Sequence, residues 1–189
     1  MFNLFAKREL IITESDGIRF VFNTKATKSN FKKFEFLLNS MNEVPTIVKE
    51  KLSERNILIR FTDEKDVVNI TGDKHVLGFY CDAGMEVIYI KCNQSYSNLK
   101  NTLFHEIGHF VDKYIGRICD CNFISLVDKS FHQVASKEEN IYTFDYYKNN
   151  ITEYFAQSFS EFLLNSRRIN LAPQTKSAIE TYISALHSC

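Results

Sequence analysis

The stretch Leu99-Lys100-Asn101-Thr102-Leu103-Phe104-His105-Glu106-Ile107-Gly108-His109-Phe110-Val111-Asp112-Lys113-Tyr114 decides how the chain is read. Leu99, Leu103, Ile107, Phe110, Val111 and Tyr114 recur at helical spacing and predict one buried stripe. Ser97 or Asn98 is placed to cap this helix, and Gly116 to end it after about Ile115. His105 and His109 stand four residues apart, so their rings project from nearly the same face. Two imidazoles so placed suit a single Zn²⁺. Glu106, adjacent to His105, can reach a water on such a metal as general base without being a ligand. Gly108 costs the helix about 1 kcal/mol of propensity. Close approach of another element beside His109 would account for it.

A catalytic zinc needs a third protein ligand and one open position. His109 is followed by Phe110-Val111-Asp112-Lys113-Tyr114-Ile115, so no third histidine follows at metzincin spacing. His75, His132 and His187 lie far off in the sequence without supporting spacing, which leaves a downstream carboxylate. Asn150 to Asn165 reads as a helix with Ile151, Phe155, Phe159, Phe162 and Leu163 on one side. Glu153, in its first turn and opposite that side, is the leading candidate, and Glu161 is its competitor. Asn150-Ile151-Thr152-Glu153 also resembles a capping box, in which Glu153 would only satisfy a backbone N–H. Gln157, one turn on, is placed to hold a ligand from outside.

The sequence before this helix has a different character. Leu10–Thr13 and Ile18–Phe22 predict two strands about the turn Asp16-Gly17. Asn30–Ser40 predicts a helix with Phe31, Phe34, Leu37 and Leu38 on one face. A second helix is predicted from Pro45 to about Leu52, then a strand over Ile57–Phe61. Val76–Cys81 and Val87–Lys91 predict two more strands, joined by Asp82-Ala83-Gly84. Beyond residue 96 only helices are expected, including Phe123–Val134 and one from Pro173 to near His187. The fold class is therefore α+β: one domain over 1–189, with a β-containing lobe (1–95), an all-helical lobe (96–189) and a cleft between them.

Lys plus Arg and Asp plus Glu number 23 each, so the charge balance gives no nucleic-acid footprint. No apolar run reaches the roughly 18 residues of a membrane span. Apolar character at the N-terminus breaks at Lys7, so a secretory leader is absent and a cytoplasmic location is the expectation, with export by another route as the alternative. Five cysteines, with Cys119 and Cys121 as C-x-C, match reduced thiols better than a disulfide framework.

His105-Glu106-Ile107-Gly108-His109, then Asp145-Tyr146-Tyr147, then Glu153-Tyr154-Phe155-Ala156-Gln157-Ser158-Phe159 resemble the anthrax lethal factor catalytic-domain family, which includes the clostridial Pro-Pro endopeptidases. Glu153 lies 44 residues after His109, and Tyr146 seven before Glu153. The resemblance implies a zincin fold of gluzincin type and a zinc metalloendopeptidase. It makes His105, His109 and Glu153 ligands, Glu106 the general base and Tyr146 the donor to the developing oxyanion. Tyr147 is the adjacent alternative to Tyr146, and Tyr142 a more distant one. The resemblance further implies an extended peptide or protein substrate bound along an edge strand near Gly78-Phe79-Tyr80. It does not extend to Pro-Pro preference: the chain has no Trp, and Thr152 rather than an acid precedes Glu153. Two rival readings stand beside it. One is a partner-binding domain of the same fold without catalysis. The other is a structural zinc site closed by a fourth ligand, for which Asp112 is the nearest candidate.

Overall fold

The computed structural model describes residues 8–114, 150–164 and 173–188. The expected helix Phe123–Val134, His132, Tyr142, Tyr146, Tyr147, Cys119 and Cys121 lie outside the described residues. The chain divides into two compact units, Met1–Leu103 and Phe104–Cys189. The architecture is mixed α+β, with a sheet-bearing first unit and, among the described residues, an all-helical second unit.

The first unit is built on a five-stranded sheet of β1 (Arg8–Ser15), β2 (Ile18–Lys25), β3 (Leu58–Thr62), β4 (Gly78–Cys81) and β5 (Val87–Lys91) in the order β1-β2-β3-β5-β4. β1 and β2 form the expected hairpin, but each strand is longer than predicted. Ser15 pairs with Ile18 across Asp16 and Gly17, whose φ values are 52° and 74°. Two successive positive φ angles match the twist of the flanking strands, and Asp-Gly adopts them at low cost. β2, β3 and β5 are mutually parallel, while β1 and β4 run antiparallel at the two edges. Residues in register share a face, so Phe20, Ile59 and Ile88 form one buried row, and Phe22, Phe61 and Ile90 the next.

Helix α1 (Lys28–Ser40) covers that face: Phe22 stacks on Phe31 at 4.6 Å and meets Phe34 edge-on at 5.4 Å. Thr27 caps α1 through its hydroxyl, which accepts from the Asn30 N–H. α2 (Thr46–Glu54) follows Pro45, as expected. α3 (Glu64–Thr71) was not expected from the sequence. Its β-branched Val67, Val68, Ile70 and Thr71 disfavour helix, and only Val67 is buried. Asp63 at its start and Gly72 in the left-handed conformation at its end are the signals that mark it.

α4 (Tyr96–Tyr114) carries the motif. It begins earlier than predicted, because Ser95 is the cap: its hydroxyl accepts from the Asn98 N–H at 3.2 Å. Gln94 is buried and fixes the start of α4 to the strands. Its amide nitrogen donates to the carbonyls of Leu77 and Lys91, and its oxygen accepts from the Thr102 hydroxyl at 2.9 Å. Each buried polar atom of the Gln94 amide is thus matched, which ties the first turns of the helix to the strands. The predicted stripe on α4 is buried, except that Tyr114 is only half-buried and Phe104 joins it.

The second unit contains the rest of α4, α5 (Ile151–Leu163) and α6 (Pro173–Ala185), ending in a 3₁₀ turn over Leu186–Ser188. Phe155 on α5 meets Tyr182 on α6 edge-on at 6.0 Å. α5 is buried on more than the predicted side: Tyr154, Ala156, Ser158, Ser160 and Glu161 are buried along with Phe155 and Phe159, while Phe162 and Leu163 are half-buried. Among the described residues no helix is long and apolar enough to cross a membrane.

Candidate metal centre

Gly108 explains how two helices bring side chains to one point. A Cβ at this position would lie 2.7 Å from the Ala156 Cα and 3.0 Å from its carbonyl oxygen. The two backbones therefore touch, with no side chain between them, and only glycine permits it. On α4, His105 sits one turn before Gly108 and His109 directly after it. On α5, Glu153 sits one turn before Ala156 and Gln157 directly after it. Gly108→Ala is expected to force the helices apart, because backbone atoms cannot rotate away as side chains do. Overpacking of this kind costs about 1–3 kcal/mol, against a gain of up to about 1 kcal/mol in helix propensity. The metal-free variant should melt several degrees lower in a thermal scan. An unchanged or raised midpoint would contradict the close contact.

The contact sets three donor atoms at one place. His105 Nε2 lies 3.1 Å from His109 Nε2 and 3.1 Å from Glu153 Oε2, and His109 Nε2 lies 3.3 Å from Glu153 Oε1. Ligands about 2.0–2.1 Å from a tetrahedral metal are separated by about 3.3–3.4 Å, close to the spacing of the two nitrogens and of each nitrogen from its nearer carboxylate oxygen. Two imidazole nitrogens and a carboxylate are a donor set that zinc accepts, and three protein ligands leave one position open. His105, His109 and Glu153 form the one group among the described residues that could hold a metal ion, and Asp112 is not part of it. Glu161 is not part of it either.

Electrostatics show why a cation belongs there. Burial opposes the charged form of His109, yet its hydrogen bond to Glu153 and the charges of Glu106, Glu153 and Asp112 outweigh burial and raise its pKa above the ordinary value. Burial likewise opposes ionisation of Glu153, but hydrogen bonds from His105 and His109 and their charge hold its carboxyl well below the usual range. The carboxylate thus favours positive charge on the nitrogens that face it.

The capping reading of Glu153 is half realised. Asn150 Oδ1 accepts from the Glu153 N–H at 3.4 Å, so Asn150 is the N-cap. The Glu153 carboxylate faces the two imidazoles. Glu106 is buried on α4, at 5% exposure, beside His105. Gln157 Oε1 lies 3.3 Å from His105 Nδ1, as its spacing suggested. The involvement of Glu161 behind Gln157, at 2.9 Å, was not foreseen, although the i, i+4, i+8 spacing of Glu153, Gln157 and Glu161 carries that signal.

No family model matches the chain, and no curated protein matches it. Among solved structures, the chain is similar to the Pro-Pro endopeptidase from Paenibacillus alvei, with 18% identity, a TM-score of 0.51, and coverage of 87% of this chain and 92% of that one. At that identity the likeness is one of fold: the chain shares the architecture of a Pro-Pro endopeptidase.

Proposed function

We propose that the chain is a single-domain zinc metalloendopeptidase of gluzincin type. The observation that carries this reading is the convergence of His105 Nε2 and His109 Nε2, 3.1 Å apart, on the Glu153 carboxylate, whose Oε2 lies 3.1 Å from the first and Oε1 3.3 Å from the second. The shared architecture with a Pro-Pro endopeptidase supports it. When bound, Zn²⁺ supplies Lewis-acid polarisation of a carbonyl and acidifies a water. His105, His109 and Glu153 would hold the ion. Glu106, next to His105, would take the proton of the attacking water on its carboxylate and return it to the leaving amine nitrogen. Tyr146, outside the described residues, would donate its phenolic proton in a hydrogen bond to the oxyanion.

The substrate is an extended peptide or protein segment. β4 is an outer strand of its sheet, paired on one side with β5. Its outer side among the described residues, at Gly78, Phe79 and Tyr80, suits backbone pairing with such a segment. Zinc-loaded protein is expected to cut members of a peptide library, to lose that activity on chelation and to regain it on zinc addition. Mass spectrometry of the products reads out the cut sites. Protein that binds zinc stoichiometrically yet cuts no peptide bond would rule this function out and favour a partner-binding role.

A further inference from the structure

The zinc reading leaves one arrangement on α5 without a role. Glu161 is a buried carboxylate, at 8% exposure, and its Oε2 has no hydrogen-bond partner among the described residues. Its Oε1 accepts from Gln157 Nε2 at 2.9 Å, and Gln157 Oε1 in turn lies 3.3 Å from His105 Nδ1. A carboxylate only accepts hydrogen bonds, so the NH₂ end of the Gln157 amide must face Glu161. That leaves the Gln157 oxygen toward His105. An acceptor at Nδ1 requires a proton there, which leaves Nε2, the nitrogen that meets His109 and Glu153, as the one to offer its lone pair when a metal binds. The chain of requirements runs in one direction, from Glu161 through Gln157 to the imidazole. A glutamate at 157 would set two carboxylates about 3 Å apart, where like charges cannot both persist. A neutral amide is the side chain that accepts from His105 and donates to Glu161 at once.

We propose that Glu161 and Gln157 form a positioning relay that holds His105 with Nδ1 protonated and Nε2 presented to the metal. Gln157 is the positioning residue, and Glu161 sets the orientation of its amide. The relay rests on the zinc reading above and deepens it, because outer partners of a ligating histidine set ring orientation and ligand basicity.

Zinc affinity by competition with a chromophoric chelator, together with ¹⁵N-edited NMR of the zinc-loaded protein, tests the relay. The wild type should show the His105 Nδ1–H proton protected from exchange with solvent. Gln157→Leu should lose that protection and bind zinc about 10–100-fold more weakly. Glu161→Leu frees the amide to rotate and should weaken binding in the same direction. Glu161→Gln keeps an acceptor for Gln157 and should stay within a few-fold of the wild type. A rapidly exchanging Nδ1–H in the wild type overturns the relay, even if Gln157→Leu does not fold. So does a folded Gln157→Leu protein with wild-type zinc affinity. A lower melting temperature with unchanged zinc affinity in Glu161→Leu would make Glu161 merely structural and overturn its part. Zinc uptake without peptide cleavage in the wild type would defeat the peptidase reading while leaving the relay intact.

Discussion

Glu106→Gln is expected to bind zinc about as tightly as the wild type and to cleave peptides roughly 10²–10⁴-fold more slowly, the range that a positioned general base contributes. The substitution changes one atom type and almost no volume. Glu106 is buried beside His105 on α4, in a stretch of helix held against α5 by the Gly108–Ala156 contact. The amide therefore fits where the carboxylate stood, and the three ligand atoms keep their spacing. What is lost is the capacity to take a proton, which no amide has near neutral pH. Glu106 also contributes to raising the pKa of His109, so the variant's His109 should titrate somewhat lower than the wild type's. That shift would favour zinc over the proton and gives no route to a false loss of activity through lost metal. Stopped assays on a defined substrate, with metal content measured on the same sample, decide the matter. Wild-type turnover by the zinc-loaded variant would exclude Glu106 as the base.

The sequence shows the metal-binding half of the site more clearly than the sheet that accompanies it, for a physical reason. The spacing of His105 and His109 is local: four residues on a helix fix their common face whatever else the chain does. Gly108 is legible too, because a helix-interior glycine between two candidate ligands implies a backbone contact, and Ala156 supplies it. The choice between Glu153 and Glu161 is not local. They are eight residues apart on α5 and share a face, so periodicity cannot separate them. Only the level at which α5 crosses α4 does so, bringing Glu153 to the imidazoles and leaving Glu161 two turns beyond. The strand order is hidden for the same reason. β4 and β5 are neighbours both in sequence and in the sheet, but β2, β3 and β5 are joined in parallel across long separations. Nothing in a strand's own pattern states its partner. α3 escaped notice because its β-branched residues read as strand, and only the flanking Asp63 and Gly72 reveal a helix. Tyr146 has no local signature among the neighbouring tyrosines; its role rests on the family resemblance.

Glu153→Ala should have the largest effect on the metal itself. Apparent zinc-binding energies of about 10–16 kcal/mol shared among four ligands correspond to about 2.5–4 kcal/mol for each. Loss of one such ligand is then a weakening of roughly 10²–10³-fold. The carboxylate also supplies the site's only negative ligand, so the two imidazoles left behind would have no charge to offset the cation. A second consequence separates this account from simple destabilisation. In the metal-free protein Glu153 is the main partner that raises His109, against the opposing effect of burial. Zinc and a proton compete for the same His109 nitrogen, so wild-type affinity should fall as pH drops through the raised His109 value. Without Glu153 the imidazole loses its proton at lower pH, and the fall in affinity should begin correspondingly lower, from a weaker plateau. Chelator competition across pH measures both the plateau and the inflection. A Glu153→Ala protein that keeps wild-type affinity would show that the third ligand lies elsewhere. A weaker plateau with an unmoved inflection would mean that Glu153 ligates the metal but does not govern the protonation of His109.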